Sequence, residues 1–283
     1  MAIQQPIDPG LQGVPETMLM TVWNRSRHSQ GGDALLDDPL GEGLVHRLNY
    51  DFRGHFGKPH PAHAIRSRYA DERLRDFLAR FPGGTVVALG EGLETQFWRV
   101  DNGRVIWYSV DLPEAIAIRR RLLPESSRNY LVECSALDHA WLERIVSERA
   151  GPIFVSAAGL LMYFEAEQVL ALLRAIVERL GQGELFFDTI PPWFSRKTFK
   201  GWQLTPSYTA PVMPWGIELG DLPSFIGQVE GLQLRECLTY AEPWPRYMPM
   251  LALLSRIGWV RRRLAPGLVH AVFERAADQS HKA

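Results

Sequence analysis

The segment Val86-Val87-Ala88-Leu89-Gly90-Glu91-Gly92 constrains this chain more than any other. Thr85–Gly90 is a short β-branched and apolar run, the pattern of a strand buried on both faces of a parallel sheet. It runs into Gly-x-Gly, where glycine lets the backbone turn sharply and approach a ligand closely. A second such run, Val105–Asp111, ends on a carboxylate 21 residues after Gly90. An acid at that position suits a bidentate hydrogen bond to the two ribose hydroxyls of an adenosine-containing cofactor. Phe97 and Trp98 stand where the third glycine of a dinucleotide fingerprint would lie. The pattern therefore disfavours NAD, whose pyrophosphate needs the helix close by. It favours S-adenosylmethionine, which has no pyrophosphate.

The alternation continues along the chain. Leu112–Leu123 reads as a helix with Pro113 in its first turn, where a missing N–H costs little. Tyr130–Cys134 reads as a third strand, Trp141–Val146 as a helix and Ile153–Ala157 as a fourth strand. Glu165–Leu180 is a strongly amphipathic helix stopped at Gly181, and Glu184–Ile190 a fifth strand. Strands separated by helices at this spacing predict a doubly wound parallel sheet, because parallel neighbours need crossover helices. Leu232–Tyr240 and Leu268–Glu274 are expected as two closing strands on either side of a helix around Arg246–Leu264.

Residues 1–64 read differently. They carry short apolar periods at Thr17–Trp23 and Leu35–Leu48 among Gly, Pro, His and Asp, and predict a cap of short helices. Ala64–Phe81 then fits one helix, ended by Pro82-Gly83-Gly84. Residues 191–217 carry five prolines, three tryptophans and no periodicity, and are expected to be an insertion that covers the site. The expected organisation is an N-terminal helical cap over 1–64 and one α/β domain over 65–283 with a lid at 191–217.

Composition narrows the class. The 283 residues are 46% hydrophobic, and 31 basic against 32 acidic side chains leave a formal charge of −1, which argues against a nucleic-acid partner. Cys134 and Cys237 cannot make a disulfide framework or a four-thiolate zinc site. Met1 to Pro6 lacks a basic region followed by an apolar run, so no signal peptide is expected. No apolar stretch suggests a membrane span. The expectation is a cytoplasmic protein with a small-molecule acceptor, no membrane partner, and a monomeric or homodimeric state.

Several motifs together resemble the leucine carboxyl methyltransferase superfamily, in particular its bacterial branch of polyketide-type O-methyltransferases. Glu16-Thr17-Met18-Leu19, Arg25-Ser26 and Asp38-Pro39-Leu40 resemble that branch's opening elements, and Ile65-Arg66-Ser67-Arg68 its arginine-bearing stretch. Leu89-Gly90-Glu91-Gly92-Leu93-Glu94-Thr95 resembles its Leu-Gly-Ala-Gly-Leu-Asp-Thr motif, followed by Trp98-Arg99. Trp107-Tyr108-Ser109-Val110-Asp111-Leu112-Pro113 and Ala158-Gly159-Leu160-Leu161-Met162-Tyr163 resemble two further motifs. The resemblance implies a Rossmann-like class I methyltransferase fold: a seven-stranded, mostly parallel sheet with an antiparallel C-terminal strand.

It also implies roles. Gly90 and Gly92 would pass beneath the methionine part of S-adenosylmethionine, Asp111 with Leu112 would meet the ribose, and Arg68 the methionine carboxylate. Ser135, Ala136 and Leu137 would flank the adenine, and Tyr163 would sit beside the sulfonium or the acceptor. Ser135 and Ala158 stand where the family carries carboxylates, and Glu91 where it carries a small residue. Glu91 is expected to reach the cofactor's ammonium in place of the carboxylate missing at Ala158.

Methyl transfer from a sulfonium is an in-line displacement in which alignment and exclusion of water do most of the work. A carboxylate acceptor is already an anion, whereas a phenol benefits from a base. His28, in the cap, and Tyr163 are the candidates to act on the acceptor, while His139 reads as a surface histidine. Trp193, Trp202, Tyr208 and Trp215, with Phe194 and Phe199, are expected to line a flat acceptor pocket under the lid. His55, His60 and His63 are interrupted by prolines and predict no metal site. Arg119-Arg120-Arg121 and Arg261-Arg262-Arg263 each close a helix, where cations are favoured. The reading is an S-adenosylmethionine-dependent O-methyltransferase acting on a small carboxylate or phenol. The alternatives are a catalytically degenerate fold serving as a binding or scaffold protein, and a protein C-terminal carboxyl methyltransferase.

Overall fold

The computed structural model describes residues 6–29, 31, 34–149 and 151–275. Residues 1–5, within the opening segment read above for the absence of a signal peptide, and residues 276–283 lie outside the described residues. Ahead of the sheet stand α1 (Thr17–Arg27), α2 (Pro39–Arg47), α3 (Phe52–Phe56) and α4 (Ala62–Arg80). Asp38 and Asp51 cap α2 and α3 by accepting from the backbone N–H groups of Gly41 and Gly54, each at 2.9 Å. Such caps satisfy donors that a helix start leaves open. Helix α4 runs through residue 64, so the expected cap boundary falls inside one continuous helix.

The sheet follows in the expected alternation. It begins with β1 (Thr85–Leu89), α5 (Gln96–Val100), β2 (Ile106–Asp111), α6 (Pro113–Leu122), β3 (Asn129–Glu133) and α7 (Ala140–Glu148). It continues with β4 (Ile153–Ala157), α8 (Ala166–Leu180), β5 (Gln182–Thr189), α9 (Pro192–Phe199), β6 (Gln203–Thr205) and β7 (Tyr208–Thr209). The last elements are α10 (Leu222–Ile226), β8 (Leu232–Thr239), α11 (Pro249–Ser255), α12 (Gly258–Leu264) and β9 (Gly267–Glu274).

Seven strands form one sheet in the order β3-β2-β1-β4-β5-β9-β8. Neighbours from β3 through β5 pair parallel, and β9 lies antiparallel to both β5 and β8. This is the mostly parallel sheet with an antiparallel C-terminal strand that the family resemblance implies. Strands β1 and β4 are buried at every position, as strands covered by helices on both faces must be. Helix α8 starts with a capping box between Glu165 and Gln168 and ends at Gly181 with φ 80°. It buries Val169, Leu172, Leu173 and Ile176 against the sheet, each contributing about 1.5–3 kcal/mol. Strand order reverses between β1 and β4, and ligands of such sheets bind at the carboxyl ends of the strands beside that point.

Two expectations need correction. Residues 191–217 contain regular structure: helix α9 and the β6–β7 hairpin, separated by a turn at Gly201 with φ 72°. The helix expected around 246–264 is instead a 3-10 turn at Pro245–Tyr247 followed by α11 and α12. It breaks because Ile257 is extended, with φ −82° and ψ 107°, immediately before Gly258. The helix after the glycine turn starts as late as Gln96 and spans five residues, because Glu91 to Thr95 are held in a network of side-chain contacts.

Candidate active site

A cavity opens at the carboxyl ends of β1, β2 and β4, roofed by Pro15, Thr17 and Met18 of the cap. Its floor is the glycine turn. Gly90 and Gly92 have φ 60° and 53°, and a Cβ on them would come within 2.7 Å of Leu160 Cδ1 and 2.8 Å of Met18 Cβ. Left-handed backbone in so tight a place admits glycine alone without strain. The turn also leaves the backbone itself facing the cavity.

Asp111, the last residue of β2, fixes the turn. Its Oδ2 accepts from Gly92 N–H at 2.6 Å and its Oδ1 from Leu112 N–H at 2.8 Å. Burial pushes its carboxyl up, and those two N–H bonds pull it back. Asp111 lines the cavity, and each of its oxygens has capacity to accept a further hydrogen bond such as one from a ribose diol. Leu112, Ser135 and Ala136 line the same side. Leu137 does not; it packs against the core, with its N–H donated to Ser135 Oγ at 3.2 Å.

Glu91 lines the cavity, but its carboxylate is held by the protein. Trp107 Nε1 donates to Oε1 at 3.2 Å and Arg119 Nη2 lies 3.0 Å from Oε2, the latter a Coulombic contact rather than an aligned hydrogen bond. Burial pushes this carboxyl up to about 7 despite the opposing pull of Arg119. Arg119 also donates from Nη1 to the carbonyls of Gly92 and Glu94, at 2.8 Å each. Ala158 lines the cavity beside Gly159.

The structure brings Arg66, rather than Arg68, to the cavity. Arg68 points away: Nη1 donates to the Leu35 carbonyl at 3.1 Å and the guanidinium lies 4.5 Å over the Trp244 ring. The two arginines are two positions apart on α4, so they lie on different faces of the helix. Arg66 is buried, with Nη1 3.2 Å from Asp188 Oδ2, while its Nε has no partner. Tyr240 Oη also donates to Asp188 Oδ2, at 2.6 Å, and Gly159 N–H to Oδ1 at 2.5 Å. The orphaned Nε and the planar fork fit a carboxylate such as that of the methionine moiety.

Tyr163 lies at the cavity in the 3-10 turn Leu161–Tyr163. Burial pushes its phenol up, against the opposing influence of Thr17 and Arg66. His28 does not line the cavity. It caps the C-terminus of α1, its Nε2 has no hydrogen-bond partner, and burial with nearby His60 holds its imidazole down. The four expected pocket aromatics do not converge. Trp215 packs in the core on Phe187 and Phe225, and Tyr208 against Phe56 of the cap. Trp202 packs on Phe194, while Trp193 is exposed and donates to the Leu264 carbonyl at 3.0 Å. Ser195 donates to the Met213 and Pro214 carbonyls and Thr198 accepts from Met213 N–H, which ties this stretch to α9, and Trp215 N–H donates to the Met162 carbonyl.

The sequence points to no role at the cavity for Asp188 or Tyr240, and it reads Arg119 only as a cation closing a helix, whereas the side chain is buried under the glycine turn. Asp188 carried the same signal as Asp111, a carboxylate near the end of an apolar strand. It also left unused the network that rivets the cap to the glycine turn. Arg25 pairs with Asp38 at 3.3 Å and donates to the Leu93 carbonyl at 2.9 Å. Arg99 pairs with Asp71 at 2.7 Å and Glu94 at 2.8 Å, and Thr95 donates to Asp38 at 2.5 Å. The arginines hold the Glu94 carboxyl well below the usual carboxylate range. His60 and His63 are engaged with Asn24, through a His60 N–H bond of 2.9 Å and a His63 Nδ1 contact of 2.7 Å. Among the described residues no group of three or more His, Cys, Asp or Glu is arranged to hold a metal ion.

The profile of the leucine carboxyl methyltransferase family matches residues 18–177, from the cap through the glycine turn and Asp111 to α8. The chain is 31% identical over 229 residues to the tetracenomycin polyketide synthesis O-methyltransferase TcmP of Streptomyces glaucescens, covering 80% of this chain and 83% of that protein. It is 28% identical over 199 residues to the S-adenosyl-L-methionine-dependent methyltransferase dpfgK of Gibberella zeae, covering 63% and 66%. Among solved structures it matches magnesium protoporphyrin IX methyltransferase from Synechocystis PCC 6803 with bound SAH, at TM-score 0.44 and 11% identity over 75% and 85% of the two chains.

Proposed function

The chain belongs to the leucine carboxyl methyltransferase family and is an S-adenosylmethionine-dependent O-methyltransferase, and from that premise we propose that it methylates an ionised oxygen, foremost a carboxylate, of a small polyketide-like acceptor in the cytoplasm. The observation that carries this reading is the state of the titratable groups at the cavity. Glu91 is paired with Arg119, Glu94 with Arg25 and Arg99, and Asp111 with two backbone N–H groups. The Tyr163 phenol is held protonated by burial. None of these is a free base, and no histidine is among the described residues that line the cavity.

S-adenosylmethionine, when bound, supplies an electrophilic methyl group on a sulfonium. A carboxylate with a pKa near about 4 is already a nucleophile at neutral pH and needs no proton removed. Asp111, Leu112, Ser135 and Ala136 would hold the adenosine end, and Arg66 the carboxylate of the methionine end. Thr17 and Tyr163 would orient the acceptor by hydrogen bonding, while Pro15 and Met18 keep water out. The name of the Streptomyces glaucescens relative refers to polyketide synthesis, which supports an acceptor of that kind.

The test is incubation with S-adenosylmethionine and a panel of aromatic acids and phenols, with products read by mass spectrometry before and after mild alkali. Alkali-labile methyl esters are expected. Alkali-stable methyl ethers of neutral phenols, with no ester, would contradict the reading.

A further inference from the structure

Helix α11 has its apolar stripe on the outside. On α11, Met250, Leu253 and Leu254 fall at i, i+3 and i+4, one helical face, and are 75%, 64% and 42% exposed, while Ile257, in the break between α11 and α12, is 54% exposed. Trp259, on α12, is 56% exposed. The opposite side is anchored, since Met248 and Leu251 pack against the core. None of the five outward side chains lines the cavity.

Within its own stretch of chain this segment carries charge of one sign. From Pro243 to Phe273 the chain carries five arginines and no aspartate or glutamate, within a protein of net charge −1. Arg261 and Arg263 are paired with Glu242 and Glu218. Arg256 and Arg262 are exposed and form no ion pair among the described residues. The face therefore combines a protruding Met, Leu, Ile and Trp set with uncompensated guanidinium groups.

We propose that this α11–α12 face docks on an anionic lipid surface. Tryptophan and aliphatic side chains flanked by cations are the chemistry of an interfacial segment, in which apolar groups sink to the headgroup boundary and arginines meet the lipid phosphates. Side chains that stand out from the surface suit a fluid interface better than the preformed pockets that protein partners use. A twofold contact with a second copy would bring both sets of Arg256 and Arg262 together, and their repulsion disfavours it. No helix among the described residues is long and apolar enough to cross a membrane, so the contact is peripheral. The segment leaves the sheet after Thr239 and returns at Gly267, which pairs with Thr189 at the carboxyl end of β5. The α11–α12 segment and the cavity thus lie at the same, carboxyl end of the sheet, and, resting on the apolar acceptor proposed above, lipid would be the phase from which that acceptor is drawn.

The experiment is co-sedimentation of the full chain with vesicles of phosphatidylcholine containing one third phosphatidylglycerol, against vesicles of phosphatidylcholine alone. Binding to the first and not the second is expected. Leu253→Glu with Trp259→Glu should abolish it, and Arg256→Glu with Arg262→Glu should weaken it by about tenfold or more, each arginine near the surface contributing several-fold. Both variants should keep the wild-type affinity for S-adenosylhomocysteine, which shows that they fold. Failure of the wild type to sediment with anionic vesicles would overturn the proposal, as would unchanged sedimentation of Leu253→Glu with Trp259→Glu. A dimer in ultracentrifugation that the same variant dissociates would overturn it in favour of a second copy, and binding to an acidic protein but not to lipid in favour of a protein partner.

Discussion

Arg119 Nη2 lies 3.0 Å from Glu91 Oε2 beneath the glycine turn, with both side chains almost wholly buried. The same guanidinium holds the carbonyls of Gly92 and Glu94. The charged residue inside the turn is thus matched by a cation from α6, and the pair sets the path of the backbone on which the cofactor would lie. The carboxylate that the sequence reading aimed at a ligand's ammonium is engaged by Trp107 and Arg119.

Burial pushes the Glu91 carboxyl from its ordinary 4.5 up to about 7. The folded state therefore holds this proton more tightly than the unfolded state. Its contribution to stability is complete below the unfolded value and is lost as pH rises through about 7. Glu91→Gln, a neutral isostere, should match the wild type in thermal unfolding near about pH 5 and exceed it near about pH 8. A difference that is the same at both pH values would contradict the assignment.

Arg66 and Arg68 should separate cleanly. Arg66→Ala removes the guanidinium at the cavity and should weaken S-adenosylhomocysteine binding by about 10- to 100-fold, the range of a lost charge-assisted hydrogen bond of about 1.5–3 kcal/mol. Arg68→Ala, whose side chain contacts Leu35 and Trp244, should leave affinity within a factor of about two. Calorimetric titration of the two variants decides it, with the reverse order as the contrary result.

Trp215 and Trp193 should also behave differently. Trp215→Ala opens a hole beside Phe187 and Phe225 and should cost about 3–5 kcal/mol in urea unfolding. Trp193, 43% exposed, should cost less than about 1 kcal/mol when replaced by alanine. Equal stabilities with a raised KM for Trp215→Ala would restore that residue to the acceptor pocket.

The alternation of strands and helices was legible because period and length are local properties. Thr85–Leu89, Ile153–Ala157 and Leu232–Thr239 stand within a residue of where the pattern placed them. At the site, Asp111 and the glycines were legible because the turn that needs them is itself local. Arg66 was not, since its choice over Arg68 depends on which face of α4 meets the sheet, a tertiary fact. Residues 191–217 misled for a related reason. Their aromatics have no period, and where each ring goes is decided by long-range partners: Phe56 for Tyr208, Phe187 for Trp215. Arg25, Asp38, Thr95 and Arg99 were conspicuous in sequence, yet their union across the cap and the turn appears only in three dimensions.

The central claim is that Asp111 and the Gly90-Glu91-Gly92 turn hold an adenosine-containing cofactor. Its most direct test is calorimetric titration of S-adenosylhomocysteine into the wild type and into Asp111→Ala, with folding of both checked by circular dichroism. The account predicts micromolar binding by the wild type and its loss in the variant. A folded wild type that gives no binding heat, or an Asp111→Ala protein that binds as tightly as the wild type, would contradict it.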